Sequence, residues 1–185
     1  NIVGNTSTGT FVTDSEIGSF RFTSPPIESS RKISISYNFA CGIFGDGNLK
    51  CWGKNNYGQL GIGSLTDQIR PKTVDLGTGR TATVFSLGSN GYTACAVLDN
   101  GSLMCWGRNY AGELGISGPT GHSAIYTTPQ TVDLGTGRTA VSVSMGATHT
   151  CAILDDGSLK CWGQNSNGQL GIGSTTSQNS PQTVN

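Results

Sequence analysis

The stretch CAILDDGSLKCWGQNSNGQLGIG at residues 151–173 decides the fold, because the chain contains it in three similar copies. The other copies occupy residues 95–117 and 41–63. Repetition at a period of roughly fifty residues is typical of solenoids and propellers, in which each repeat forms one supersecondary unit. We therefore interpret these 185 residues as a repeat protein rather than as a series of unrelated elements.

Each copy begins with a predicted β-hairpin. In the third copy, short apolar runs at residues 152–154 and 159–162 flank the turn from Asp155 to Gly157. Gly also occupies the last turn position in the other copies, as Gly47 and Gly101. A three-residue hairpin loop needs a left-handed residue at that position. The turn therefore predicts the register of the two strands.

This register pairs the six cysteines within their own hairpins. The two cysteines of each hairpin face each other at a non-hydrogen-bonded position, where antiparallel strands lie closest. The predicted disulfides are Cys41–Cys51, Cys95–Cys105 and Cys151–Cys161. Buried free thiols and a zinc site are the alternatives, although paired zinc ligands usually lie about two to four residues apart. Three disulfides indicate an oxidising compartment.

A Trp-Gly pair follows each hairpin and leads to an Asn and a Gly-Gln-Leu-Gly or Gly-Glu-Leu-Gly segment. This arrangement resembles the repeat of the regulator of chromosome condensation family, and residues 143–154 resemble its lead-in. The resemblance covers residues 31–185 and implies a β-propeller of about seven blades, of which three repeats are visible. Trp52, Trp106 and Trp162 are predicted to pack between blades, with sugar stacking as the alternative.

Strand and turn patterns predict the domain limits. Residues 1–30 do not match the repeat and are expected to form an N-terminal arm or outer strand, or the tail of a preceding domain. Repeat 1 spans 31–76, repeat 2 spans 77–134, and repeat 3 spans 135–185 with the first strand of a further blade. Each repeat is predicted to hold four antiparallel strands, so the fold class is all-β. Because three repeats leave open edges, we expect a larger or assembled propeller.

Charge and composition exclude several classes of function. Lys plus Arg and Asp plus Glu each number 11, so a formal net charge of zero argues against nucleic-acid binding. No apolar run approaches the roughly eighteen residues that span a bilayer. No catalytic set of nucleophile, base and orienting group appears, and the Gly-Thr-Gly turns at 77–79 and 135–137 lack a Walker lysine. The sequence predicts a non-enzyme without a cofactor or metal.

Repeat 2 differs from repeat 3 in two loops. Residues 88–93 form a longer lead-in, and residues 117–126 extend the loop after the Gly-Glu-Leu-Gly segment. Binding residues of repeat proteins collect in such loops, so His122 and Tyr126 are the candidate binding residues, with a passive length difference as the alternative. The residues that flank the Gly-Thr-Gly turns are predicted to form ion pairs, Asp75 with Arg80 and Asp133 with Arg138.

These observations predict an extracellular or cell-surface β-propeller module that binds other proteins or glycans without catalysis. The family resemblance implies an interaction scaffold, whereas the paired cysteines and zero net charge disfavour a nuclear one. The second hypothesis is a structural subunit of a surface assembly or filament, in which further copies of the chain join at open repeat ends. Asn5 and Asn100 begin glycosylation sequons, which have meaning only in a eukaryotic secretory setting.

Overall fold

The computed structural model describes residues 32–184, which form three four-stranded antiparallel sheets, one for each repeat. Repeat 1 contains β1 (Ile33–Ile35), β2 (Phe39–Ile43), β3 (Leu49–Gly53) and β4 (Gln68–Thr73). Repeat 2 contains β5 (Ala82–Leu87), β6 (Thr93–Leu98), β7 (Leu103–Arg108) and β8 (Ile125–Thr131). Repeat 3 contains β9 (Ala140–Met145), β10 (His149–Leu154), β11 (Leu159–Gly163) and β12 (Gln178–Thr183). The predicted all-β blades of four antiparallel strands are confirmed. The predicted arm at residues 1–30, with Asn5, lies outside the described residues.

The hairpins between the second and third strands have the predicted turn. Leu154 N donates to Ser158 O at 2.9 Å, and Gly157 N donates to Leu154 O at 3.0 Å. Gly157 has a φ of 82°, which is the left-handed conformation that the three-residue loop requires. This turn places Cys151 opposite Cys161, with their Cα atoms 4.1 Å apart.

All six cysteines are joined within hairpins in the structure. The bonds are Cys41–Cys51, Cys95–Cys105 and Cys151–Cys161. Each pair lies at the same place in its sheet because each hairpin has the same turn and the same number of residues between the cysteines. The bonds connect the two central strands of a blade and therefore do not link one repeat to another.

The last strand completes the third blade. Lys160 of β11 lies opposite Thr183 of β12, just as Lys50 of β3 lies opposite Thr73 of β4. The prediction that residues near Pro181 begin a further blade is therefore wrong. The proline occupies the outer strand of repeat 3, where a missing N–H is tolerated because an edge strand needs only one partner.

The hydrophobic core lies between neighbouring sheets. We call the interface between repeats 1 and 2 the first junction, and the interface between repeats 2 and 3 the second junction. Leu60, Leu87 and Trp106 belong to the buried cluster of the first junction. Leu114, Val143 and Trp162 belong to that of the second. Both junctions therefore bury a loop leucine and a tryptophan from the same two positions of the repeat.

Each blade has two ends with different composition. The hairpin end carries the hairpin turns at 44–48, 98–102 and 154–158, together with the Gly-Thr-Gly turns. The loop end carries the Gly-Gln-Leu-Gly and Gly-Glu-Leu-Gly segments, which follow the third strand of each sheet. Chemical differences between the ends determine where a binding site can form.

The ion pairs predicted across the Gly-Thr-Gly turns are wrong. Arg80 pairs instead with Asp99, at 3.3 Å, in the hairpin turn of its own repeat. Arg138 likewise contacts both Asp155 and Asp156. Asp75 and Asp133 instead accept hydrogen bonds from the backbone of their own turns. Asp75 Oδ1 accepts from Gly77 N at 3.0 Å, and Asp133 Oδ1 accepts from Gly135 N at 2.8 Å.

Candidate binding site

The framework of the candidate site begins with the buried tryptophans. Trp106 and Trp162 are fully buried, and each indole packs against the loop of the preceding repeat. Trp106 Nε1 donates to the carbonyl of Gln59, and Trp162 Nε1 to the carbonyl of Glu113, both at 3.0 Å. Neither indole has a face available for stacking a sugar. Trp52 differs, since it is only half-buried and donates no hydrogen bond from its indole to residues 32–184.

An asparagine holds each loop in place on this framework. Asn109 Oδ1 accepts from Leu114 N at 3.1 Å, and its Nδ2 donates to Pro119 O at 2.9 Å. Asn55 and Asn165 make equivalent bonds in their own loops. All three asparagines are fully buried. Because their side chains satisfy loop backbone groups, the loop end is an ordered platform at each repeat.

Four side chains of the first junction meet on this platform, and we call them the Tyr–Arg cluster: Tyr57, Tyr92, Arg108 and Tyr110. The guanidinium carbon of Arg108 lies 4.2 Å from the ring centre of Tyr92, 5.1 Å from that of Tyr57 and 5.3 Å from that of Tyr110. The rings of Tyr57 and Tyr92 meet edge to face at 4.7 Å. All three cation–ring distances are within the range of a cation–π interaction.

The longer lead-in of repeat 2 positions Tyr92 in this cluster. Gly91 O accepts from Gln59 Nε2 of repeat 1 at 3.1 Å, and Asn90 Nδ2 donates to Ala147 O of repeat 3. Asn90 Oδ1 also accepts from Tyr92 N at 3.0 Å. The additional residues therefore bridge the two neighbouring repeats and fix the backbone from which the tyrosine projects.

The long loop at 117–126 brings one of its two candidate residues to the cluster. Gly121 N donates to Tyr110 O at 3.0 Å, which folds the loop back over the start of the Gly-Glu-Leu-Gly segment. The exposed His122 ring lies 4.6 Å from that of Tyr110. Tyr126, the other candidate, is half-buried and packs against the core of the second junction. Of the two, only His122 therefore lies at the edge of the cluster.

Arg108 has no anionic partner within the described part of the chain. Its guanidinium forms no ion pair there, and its Nε is buried without a hydrogen-bond acceptor. Glu113 is buried nearby, with Oε2 accepting from Ala111 N and Oε1 left without a partner. Burial raises the pKa of Glu113, and backbone hydrogen bonds and the charge of Arg108 offset only part of that rise. The guanidinium therefore lacks an anionic partner among residues 32–184.

The second junction has different chemistry at the equivalent positions. When the repeats are aligned on their cysteines and tryptophans, the residues that replace the cluster are Ala111, Thr148, Gln164 and Ser166. Thr148 hydrogen-bonds to Gln164, and Gln164 Nε2 donates to Ser166 Oγ at 3.2 Å. These side chains are uncharged and satisfy one another. Of the two described junctions, only the first therefore presents aromatic faces and an unpaired cation.

The cluster escapes a residue-by-residue inspection of the sequence, although a signal for it exists. Tyr57 comes from repeat 1, whereas Tyr92, Arg108 and Tyr110 come from repeat 2. Aligning the repeats position by position shows that aromatic and charged residues stand where repeat 3 has small or polar ones. Together these side chains supply hydrogen-bond donors, from the guanidinium and the phenol groups, next to aromatic faces. Such a combination can bind a ligand through both polar and apolar contacts.

Comparison with known proteins supports the assignment of the repeats. Two family models described as Regulator of chromosome condensation (RCC1) repeat match the chain, one at residues 46–96, 100–153 and 156–185, the other at 31–59, 83–113 and 140–169. The E3 ubiquitin-protein ligase HERC2 of Homo sapiens is 29% identical over 154 residues, which are 83% of this chain and 3% of that protein. The Ultraviolet-B receptor UVR8 of Arabidopsis thaliana is 33% identical over 133 residues, 72% of this chain and 29% of that protein.

A solved structure shows the same fold. Prp20p from Saccharomyces cerevisiae superimposes with a TM-score of 0.73 at 21% identity, covering 83% of this chain and 38% of that one. The chain therefore spans much less than two thirds of the length of these relatives. The family models nevertheless cover all three repeats, including the Trp-Gly pairs and the loops that cover the two buried indoles. The chain belongs to the regulator of chromosome condensation repeat family.

Proposed function

We propose that this protein is a non-catalytic β-propeller module that binds another protein or a glycan through the Tyr–Arg cluster, in an extracellular or cell-surface setting. The observation that carries the proposal is the cluster itself. Tyrosine and arginine are enriched among the residues that contribute most to protein interfaces. Tyr110 is 42% exposed, so its ring is available to a partner.

A member of the same fold also supports the binding part of the proposal. Prp20p is described by its binding properties to Gsp1p and histones. A protein with the same fold therefore has protein partners. The residues of the Tyr–Arg cluster differ from those at the equivalent positions of repeat 3. The partner of the present chain is therefore inferred from the chemistry of the cluster and not from the fold.

The disulfides support the proposed location. Three bonds within hairpins are typical of proteins that mature in an oxidising compartment. No helix of the described residues has the length and apolar character to cross a membrane. Peptide mapping without reductant, on protein isolated from its native source, is expected to find all three bonds. Free thiols in that material would contradict an extracellular location.

Binding is tested by comparing the natural chain with an Arg108→Gln/Tyr110→Ser double variant. These replacements are the residues that repeat 3 carries at the same positions, Gln164 and Ser166, so the scaffold already accepts them. Both proteins are screened against a random peptide display library and a glycan array. We expect ligands that the natural chain retains and the double variant loses. Ligands retained equally by both proteins would place binding elsewhere.

A specific observation favours a second candidate, the structural subunit of a surface assembly. Trp52 lines an open cleft of about 260 Å³ together with Tyr37 and Phe39, whereas the equivalent Trp106 is covered by a loop. Among the described residues, the loop of repeat 3 lacks such a contact with an indole. A Cβ added to the equivalent loop glycines, Gly61 and Gly115, would touch the indoles of Trp106 and Trp162, whereas a Cβ added to Gly171 would lie within 4 Å only of Val184. Within residues 32–184 neither the Trp52 side chain nor the loop at Gly171 is covered by another repeat, and contact between two copies would bury both.

Sedimentation of the native protein discriminates between these two candidates. A uniform polymer that Trp52→Ala disperses would support the assembly subunit. A species whose mass is unchanged by Trp52→Ala would contradict joining through this surface. Trp162→Phe serves as the matched control, because that indole is already covered within the chain.

A further inference from the structure

We propose that the Tyr–Arg cluster is a carboxylate-binding site and that its partner is an acidic segment of another protein. The inference rests on the proposed function and names the class of partner. It places the carboxylate against the Arg108 guanidinium, beside the three tyrosine rings.

The guanidinium of Arg108 is incompletely hydrogen-bonded within residues 32–184. A guanidinium has five N–H donors and no acceptor, so a partly buried arginine normally faces a carboxylate or several carbonyls. Arg108 is half-buried against aromatic rings, yet its Nε has no acceptor and no ion pair forms within residues 32–184. Arg80 and Arg138, at the hairpin end, both have carboxylate partners. Arg108 therefore differs from them in lacking the partner that its donors require.

Charged side chains are distributed unevenly between the two ends of the blades. The aspartates of the turns lie at the hairpin end: Asp46, Asp75, Asp99, Asp133, Asp155 and Asp156. At the loop end, Asp67 accepts from Asn55 N at 2.7 Å, and Glu113 is buried with a raised pKa. Lys54 occupies the Arg108 position in repeat 1 and is exposed at this same end. The surface around Arg108 therefore attracts an acidic partner more than a basic one.

The shape and the charge of the Arg108 guanidinium favour a carboxylate over a phosphate. The planar fork of a guanidinium matches the two oxygens of a carboxylate, and the tyrosine rings lie within about 5 Å of that fork. Recognition of phosphorylated segments usually relies on clusters of arginines. A single guanidinium, in a chain of zero formal net charge, suits the smaller charge of a carboxylate.

The experiment uses residues 1–185 and a fluorescein-labelled hexaglutamate peptide, with hexaglutamine as the uncharged control. Fluorescence polarisation at low ionic strength measures the affinity for the natural chain and for Arg108→Gln. The matched control is Arg70→Gln, which removes the same charge from an exposed arginine without a described ion pair. We expect Arg108→Gln to weaken hexaglutamate binding about tenfold or more, and Arg70→Gln to change it by less than about twofold.

Equal weakening in both variants, or equal affinity for hexaglutamate and hexaglutamine, would overturn the proposal. A second measurement needs no variant: acetate is expected to shift the Nε–Hε NMR signal of Arg108 in the natural chain, and an unmoved signal would also overturn it. Inorganic phosphate that displaces hexaglutamate better than acetate does would reassign the site to phosphate. If the peptide library still yields ligands that depend on the cluster, only the class of partner is wrong.

Discussion

The first and second junctions bury the same indole against the same loop, yet they present different side chains at the loop end. Trp106 and Trp162 donate matching hydrogen bonds, at 3.0 Å, to the preceding repeat. The first junction then adds three tyrosines around an unpaired arginine, whereas the second has small or polar residues that bond to one another. Residues that are the same in each repeat thus pack the blades together. We expect specific binding at the positions where one repeat differs from the others.

The largest expected effect tests the shared part of this comparison. Trp106→Ala should lower the free energy of unfolding by about 3–5 kcal/mol, because a fully buried indole and its hydrogen bond are lost. Trp52→Ala should cost less than about 2 kcal/mol, since no described loop covers that half-buried side chain. Urea unfolding with the disulfides intact measures both values. Equal losses would show that the covering loop contributes little.

The glycine of the covering loop gives a sharper version of the same test. Gly61 and Gly171 both have a φ of 68°, so substitution by Ala strains both backbones similarly. A Cβ on Gly61 would lie 2.6 Å from Trp106 Nε1, whereas on Gly171 it would meet only Val184, at 3.2 Å. Gly61→Ala should therefore destabilise by about 1–3 kcal/mol more than Gly171→Ala in urea unfolding. Identical effects would contradict the indole contact.

A smaller effect is expected where the two junctions differ in a buried side chain. Gln59 Nε2 donates to Gly91 O at the first junction, while Glu113 Oε1 has no partner at the second. The pKa of Glu113 is raised by burial, so its contribution to stability is greatest below the unfolded pKa and is lost as the pH rises through the folded value. Glu113→Gln should therefore stabilise the fold by about 1 kcal/mol at neutral pH and by much less in acid.

Unfolding curves of this variant and the natural chain, collected across that pH range, test the sign of the effect. Arg108 is the charged group that opposes the rise in the Glu113 pKa, so Arg108→Gln should increase the pH dependence of the natural chain. If the stability difference between the natural chain and the Glu113→Gln variant does not change with pH, the carboxyl group does not titrate differently in the folded state.

The smallest expected effect lies at the hairpin end. Hydrogen bonds from Ser158 lower the pKa of Asp156 to about 2, with a lesser contribution from Arg138. The equivalent residue of repeat 2 is Asn100, which carries no charge. Ser158→Ala should raise the Asp156 pKa more than Arg138→Gln does, because the first removes the larger cause. An NMR pH titration of the Asp156 carboxyl group measures both, and the reverse order would contradict the assignment.

The fold could be predicted from the sequence because its signals are local and repeated. The turn glycine sets the register of each hairpin, and that register brings Cys151 opposite Cys161. The ion pairs of Asp75 and Asp133 could not be predicted correctly, since the backbone N–H groups of their own turns compete for the carboxylates. Local competition of this kind is invisible in a charge pattern.

The candidate site could be predicted only in part. The length of the loop at 117–126 drew attention to His122, which does reach the cluster. Tyr57 and Arg108 are far apart in the chain and meet only because adjacent blades stack at a fixed distance. A pattern within one repeat cannot show which residues of the next repeat will lie beside it. Comparing equivalent positions between repeats is the sequence signal that would have found them.

We infer that the Tyr–Arg cluster serves binding rather than blade packing, and the decisive measurement is the free energy of unfolding of the Arg108→Gln/Tyr110→Ser variant. The second junction folds with Gln164 and Ser166 at these positions. Each cation–π contact at an exposed site contributes about 0.5–1 kcal/mol and Arg108 makes three such contacts, so we expect a loss below about 3 kcal/mol. A loss of about 3 kcal/mol or more, comparable to that expected for Trp106→Ala, would show that the cluster is part of the packing.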